Sequence, residues 1–164
     1  MSLPPFDTVV TEHGTTVLRV CRALLPHHDA EDAAADALLA ALQAYPQLRP
    51  DSNVRAWLVT IAHRKALDVL RRRRRHALPF ADVPDRTAPA SAEPADEELW
   101  QAVRALPVKQ RHSVAYRYVA DLPYAEIARL LGITEAAARR NAADGIKTLR
   151  RTYQSQLPAL EAKS

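Results

Sequence analysis

Tyr124-Ala-Glu-Ile-Ala-Arg-Leu-Leu-Gly-Ile-Thr-Glu-Ala-Ala-Ala-Arg-Arg140 is the stretch that decides the fold, because it reads as two short helices hinged at one glycine. Ile127, Leu131 and Ile133 stand where two such helices need apolar contacts, Ala128 is small where they approach, and Gly132 falls where the turn wants a positive φ. Thr134 can cap the second helix. Glu135, Ala136, Arg139 and Arg140 then lie on faces free of the core, with two guanidiniums available for a phosphate or a guanine edge. This is the layout of a helix-turn-helix. The competing reading is an ordinary αα-hairpin with a basic outer face, and the small residue, the glycine and the apolar spacing favour DNA binding over it.

Outward from that stretch, composition points to an all-α protein. The 164 residues are 48% apolar with three glycines, enough for compact cores in one or two small domains. The absence of an apolar run near twenty residues and of a signal-peptide pattern leads us to expect a soluble, cytoplasmic protein without membrane insertion. Cys21, the single cysteine, lies in an apolar helical segment and reads as core filler ahead of a redox sensor. An enzyme reading fares poorly. The histidines at 13, 27, 28, 63, 76 and 112 have no metal-ligand spacing, one cysteine excludes the usual zinc-finger sets, and no glycine-rich phosphate loop is present. No cofactor, metal or small-molecule substrate is expected.

The net charge of +4 conceals a division along the chain. Residues 1–75 carry 11 basic and 8 acidic side chains, residues 76–98 carry 1 and 6, and residues 99–164 carry 11 and 5. Two basic lobes joined by an acidic connector suit a polyanion gripped at two places. The connector, with prolines at 79, 84, 89 and 94, reads as an extended linker.

The first lobe reads as three main helices. Val10, Val17, Leu18, Cys21, Leu24 and Leu25 form a stripe over residues 8–25 that Pro26 ends. Asp29 can cap the next helix, and Ala34, Leu38, Leu42 and Tyr45 are its expected buried stripe. Asp32 and Asp36, one turn apart on the other side, read as solvated surface ahead of a docking face for a basic partner. Ser52 or Asn53 can cap the third helix, which ends in five arginines, Arg71 to Arg75. Val54, Leu58, Ala62, Ala66, Val69 and Leu70 are expected to face the core, while Trp57, Thr60, Arg64, Asp68, Arg71 and Arg75 recur along another side. That side offers an aromatic platform and several guanidiniums, as a single-stranded nucleic-acid groove does. Trp57 as a core residue, with the arginines as a solvated helix end, is the alternative.

The second lobe begins at Asp96, a candidate cap for a short helix through Trp100 and Leu106. Pro107 opens another, with Val114, Tyr118 and Val119 expected on its apolar side, and Asp121-Leu-Pro123 breaks the chain before the hinged pair. Four helices in this lobe make a compact DNA-binding module. The domain expectations are residues 6–75, a linker at 76–95, residues 96–152, and a tail at 153–164.

In that arrangement the chain resembles the extracytoplasmic-function sigma factors of bacterial RNA polymerase over residues 6–151. The resemblance rests on Asp29-Ala-Glu-Asp32 before an apolar helix, and on Ala56-Trp-Leu-Val-Thr-Ile-Ala-His-Arg-Lys-Ala-Leu-Asp-Val-Leu-Arg71. In the second lobe it rests on Leu106-Pro-Val-Lys-Gln-Arg111, on Arg117-Tyr-Val-Ala-Asp-Leu-Pro-Tyr-Ala-Glu-Ile-Ala128 and on Leu131-Gly-Ile-Thr-Glu135. Order and spacing together make the match specific.

The resemblance implies a region 2-like three-helix lobe and a region 4-like four-helix lobe, and it implies partners. The helix carrying Asp29, Asp32, Asp36 and Leu39 would dock on core RNA polymerase. Ser52, Asn53, Arg55, Trp57, Arg64, Lys65, Asp68, Arg71 and Arg72 would meet the minus-ten element, where the family melts the duplex and captures an extruded base. Thr134, Glu135, Ala136, Arg139, Arg140, Asn141 and Lys147 would meet the minus-thirty-five element in the major groove. The linker would occupy a basic channel of the polymerase. Promoter DNA and core enzyme are the implied partners, together with an anti-sigma factor of the kind that commonly controls relatives.

The chain departs from the family at Ala35, where glutamine is frequent, and at Ala40, where a basic residue is. Ala137, Ala138, Ala142 and Asn141 replace the usual side chains of the recognition helix, so promoter sequence does not transfer from relatives. Two other readings stay open. One is a helix-turn-helix regulator that has lost polymerase binding, and the other is a helical interaction protein with acidic partners.

Overall fold

A computed structural model describes residues 2–76 and 94–161. The described residues form helices and connecting turns with no strand, in two compact units divided near Glu93 and Pro94. Residues 77–93, the body of the expected linker, lie outside the described residues, as do residues 162–164 of the expected tail.

Unit 1 packs α1 (Phe6–Leu24), α2 (His27–Ala44) and α3 (Val54–Arg75) against one another, with a 3-10 turn at Tyr45–Gln47. Leu25 precedes a proline and is extended (φ −132°, ψ 150°), so α1 stops at Leu24 and Pro26 becomes the N-cap of α2. This corrects the expected cap at Asp29. The cap lies three residues earlier, and Asp29 sits inside the first turn, where a carboxylate still suits the helix dipole.

The buried face of α2 is also corrected. Ala30, Ala33, Ala34, Ala37 and Ala41 are buried, whereas Leu38 is half-buried and Leu42 is 50% exposed. Close approach to α1 and α3 selects for small side chains, and the leucines fall on the remaining arc. Opposite the alanines stand Val9, Val17, Val20, Cys21, Leu24, Leu25, Leu58 and Val59. Val54, Val69 and Leu70, expected in the core, are half-buried; Val59 and His63 occupy core positions instead. Burial pushes the Cys21 thiol up to about 12, in keeping with inert core filler.

One end of the unit is closed by aromatic rings. Phe6 meets Tyr45 edge-on with centroids 5.2 Å apart, Tyr45 meets Trp57 at 6.1 Å, and the Tyr45 hydroxyl donates to the Pro4 carbonyl. Asn53 caps α3, its Oδ1 accepting from the Ala56 N–H at 3.0 Å.

Unit 2 comprises α4 (Pro94–Arg104), α5 (Val108–Val114), a π-helical turn (Ala115–Val119), α6 (Tyr124–Leu131) and α7 (Glu135–Glu161). The first helix begins at Pro94 rather than after Asp96; proline lacks only an N–H that the first turn leaves unpaired. Val103, Leu106, Val114, Tyr116, Leu122 and Ile127 build the core, and Arg104 Nη2 meets Glu97 Oε1 at 2.8 Å.

The π turn was not expected. Ala120 N–H reaches back five residues to the Ala115 carbonyl at 3.0 Å. The extra residue turns Tyr116 fully inward and leaves Tyr118 58% exposed, correcting the apolar face expected from Tyr118; Val119 is half-buried. Asp121 follows with φ 54°, and the Leu122 N–H returns to the Tyr116 carbonyl at 2.9 Å. Gly132 ends α6 in the left-handed conformation (φ 66°, ψ 36°), and Thr134 Oγ1 accepts from the Ala137 N–H at 3.1 Å as α7 begins. The hinge and the cap are as expected, whereas α7 runs on to Glu161, into the stretch expected as a tail.

Candidate nucleic-acid interface

In unit 2 one face of α7 carries a group of exposed cations. At 100° per residue, Ala136, Arg139, Arg140, Ala143 and Lys147 share one face, and all five are exposed. Thr134 and Glu135 are also exposed, the first occupied as a cap and the second 3.9 Å from Arg139 Nη2. Asn141 is half-buried at the edge of this face. Ala138 and Ala142 are buried, so they serve close packing and have no access to a ligand on the outer side.

Tyr124 was not among the expected site residues. The guanidinium carbons of Arg117 and Arg139 lie over its ring, 4.8 and 4.7 Å from the centroid. Arg117 also donates to the Leu122 carbonyl at 3.1 Å, which ties the turn before α6 to the π segment. A tyrosine opening one helix and an arginine one turn into the next meet only after the hinge closes, and no local spacing announces that contact.

In unit 1 the third helix presents Trp57, Arg64, Asp68, Arg71 and Arg75 along one side. Trp57 is half-buried with its ring near that of Tyr45, and Arg64, about two turns further along the helix, is exposed. Asp68 and Arg71 are 3.7 Å apart, and Arg71 to Arg75 are all exposed. Thr60 donates its hydroxyl to the Ala56 carbonyl at 2.8 Å. Lys65 is half-buried and Arg72 exposed, both flanking the stripe; Ser52 and Asn53 lie at the start of the helix, Asn53 engaged as its cap. Arg55 is not brought to this stripe. It lies about 200° around the helix from Trp57, half-buried, and its charge helps lower the His13 pKa.

The outer side of α2 carries Asp32, Asp36 and Leu39, all exposed, with Leu42 beside them. Asp29 is set apart: its side chain is 19% exposed and forms an ion pair with Arg73. The two helices there flank an open cleft of about 510 Å³ with Asp29, Asp32 and Asp36 on one wall and Arg72, Arg73 and His76 on the other. His63, on the buried side of α3, has its pKa pushed down to about 4 by burial, with Arg64 and Arg71 adding to the shift. The surface as a whole offers fixed cations, one partly open indole and an acidic-apolar patch, an arrangement suited to binding.

Comparison with known proteins accounts for both units. Residues 9–76 match the family described as Sigma-70 region 2, and residues 96–149 match Sigma-70, region 4. The chain is 33% identical over 143 residues to the ECF RNA polymerase sigma factor SigM of Mycobacterium tuberculosis, covering 84% of this chain and 71% of that protein. It is also 33% identical over 127 residues to the RNA polymerase sigma factor CarQ of Myxococcus xanthus, covering 74% and 72%. In fold it is similar to the sigma factor RpoE in its co-crystal with the anti-sigma factor NepR from Bartonella quintana. That TM-score is 0.78 at 18% identity, over 93% of this chain and 98% of the other. It is similar also to CnrH in complex with the cytosolic domain of CnrY, with a TM-score of 0.67 at 22% identity, over 92% and 88%. Among the described residues no helix is long and apolar enough to cross a membrane.

Proposed function

The chain belongs to the extracytoplasmic-function RNA polymerase sigma factors, and on that premise we propose that it binds core RNA polymerase in the cytoplasm, recognises a two-part promoter and promotes DNA melting. The observation that carries this reading is the presence, in order, of a region 2 unit and a region 4 unit, each with exposed arginines on a helix face.

Core enzyme engages the outer side of α2 through Asp32, Asp36 and Leu39, with Leu42 extending the apolar part and Asp29 at its edge. The stripe from Trp57 to Arg72 meets the minus-ten element. The exposed part of the Trp57 indole offers a surface on which an unpaired base can stack, and the guanidiniums neutralise phosphates. Arg139, Arg140 and Lys147 on α7 enter the major groove of the minus-thirty-five element, with Thr134, Glu135, Ala136 and Asn141 along its approach. Residues 6–75 and 96–152 are the two working domains, and residues 76–95 link them. An anti-sigma factor is the partner proposed to restrain the free protein. The chain contributes binding energy and no chemistry of its own, so it needs no cofactor.

Runoff transcription tests this directly. Core polymerase supplemented with the protein is expected to start at defined sites on genomic fragments where core alone does not. A protein that binds DNA yet never supports initiation refutes the reading and leaves a DNA-binding regulator in its place. Loss of salt-dependent DNA affinity altogether points instead to a helical interaction protein.

A further inference from the structure

The geometry points to Tyr124 as a positioning residue for promoter reading: its ring holds the Arg139 guanidinium over it and so sets the direction in which that side chain meets the upstream element. The inference rests on the assignment of Arg139 to DNA made above. It goes beyond that assignment by naming the residue that gives Arg139 its orientation.

Arginine on an exposed helix face has several rotatable bonds, and a freely moving guanidinium loses that freedom when it binds a base edge. Arg139 is such a residue, with its side chain 63% exposed and Glu135 no closer than 3.9 Å. The stronger restraint is the ring of Tyr124, whose centroid lies 4.7 Å from the guanidinium carbon. A guanidinium over a ring turns its flat side to the π cloud, while its N–H donors lie in its own plane. Stacking and hydrogen bonding to a base therefore use different parts of one group and are compatible.

The ring is itself held in place. Tyr124 is the first residue of α6 and follows Pro123, the N-cap, and Leu122, which is buried. Leu122 is fixed twice, its N–H by the Tyr116 carbonyl at 2.9 Å and its carbonyl by Arg117 at 3.1 Å. Arg117 then places its own guanidinium over the same ring at 4.8 Å. A rigid support thus runs from the π turn to the first turns of α7, where α7 otherwise supplies mainly alanine. With so few side chains to read bases, the direction of Arg139 weighs heavily on sequence preference.

The test assembles full-length wild type, Y124F, Y124L and R139A with bacterial core RNA polymerase and selects bound duplexes from a random DNA library. Y124L is expected to lose the same motif positions as R139A, with about 3–10-fold weaker binding to the wild-type motif and unchanged affinity for non-specific duplex. Y124F, which keeps the ring, is expected to retain the motif. In parallel, the Arg139 side-chain Nε–H resonance of the free full-length protein should show ordering in wild type and Y124F, and lose it in Y124L. A motif untouched by Y124L overturns the proposal, as does tighter binding by Y124L, which would make the stack a parked state that DNA must break. Equal weakening on every sequence assigns Tyr124 a merely structural role and also overturns it. A wild-type protein that enriches no motif refutes promoter reading itself and takes this proposal with it, while the resonance experiment still reports whether the stack exists.

Discussion

Arg73, in the last turn of α3, is ion-paired with Asp29, in the first turn of α2. The pair connects the arginine run at the end of α3 to the helix proposed to meet core polymerase. Arg73 remains 57% exposed, and the contribution to stability is that of a solvated pair, about 0.5–1 kcal/mol. Asp29→Asn and Arg73→Ala should each lower stability by that much in low salt and by little in high salt. Their double variant should be no worse than the weaker single variant, as chemical denaturation at two ionic strengths would measure.

His63 makes unit 1 sensitive to acid. Its folded pKa is lowered to about 4 from 6.5, chiefly by burial and then by Arg64 and Arg71. The unfolded chain therefore binds more protons between those values, and stability is complete above about pH 6.5 and falls as pH drops toward 4. At pH 5 the loss is roughly 2 kcal/mol. His13 is shifted down as well, by burial and by Arg55, with Glu12 opposing. Thermal melts at pH 7.5 and 5.0 should show the drop in Tm, and His63→Gln should flatten most of it whatever its effect at neutral pH.

Gly145 is required by its neighbour across the α5–α7 contact. A Cβ there would stand 2.5 Å from Val114 Cγ2 and 3.4 Å from the Gln110 carbonyl oxygen. Alanine gains about 1 kcal/mol in helix propensity, but overpacking against buried Val114 costs about 1–3 kcal/mol. Gly145→Ala should be net destabilising in urea, and Val114→Ala in the same chain should recover part of the loss.

Gly132 is required for a different reason. No atom crowds the position, but φ is +66°. Gly132→Ala should cost about 1–2 kcal/mol through backbone strain alone. Gly132→Asn should cost less, since asparagine tolerates the left-handed region. Equal effects of the two substitutions, measured by urea denaturation, would contradict this account.

Arg139 and Arg140 should separate reading from charge. Replacing both with alanine is expected to weaken binding to a matching upstream element by about 1–3 kcal/mol per base-reading contact, and binding to other sequences less. A uniform loss across sequences, with a shallower salt dependence, would assign them to phosphates. Anisotropy titrations on matched and scrambled duplexes at two salt concentrations distinguish the outcomes.

Local chemistry was the legible part of this molecule. Thr134 and Asn53 cap their helices and Gly132 forms the hinge because each acts on backbone groups within a few residues. Size and register were harder to read. Leu42 outranks alanine in hydrophobicity, yet close helix packing buries Ala30, Ala33, Ala37 and Ala41 and leaves Leu42 outside. Tyr118 misleads because one additional residue in the π turn changes the phase of every later position. At the candidate interface the exposed cations of α7 followed from helical periodicity, whereas the Tyr124–Arg139 and Asp29–Arg73 contacts join residues that only the folded chain brings together.

The alanine face of α2 has an evolutionary consequence. Its small side chains meet α1 and α3, while its larger apolar residues, Leu39 and Leu42, look outward. Selection acting on the outward side can then change partner affinity without disturbing the interior. Genetic screens for altered partner choice should recover viable substitutions at Leu39 and Leu42, whereas changes at Ala33 or Ala37 should surface as loss of the protein itself.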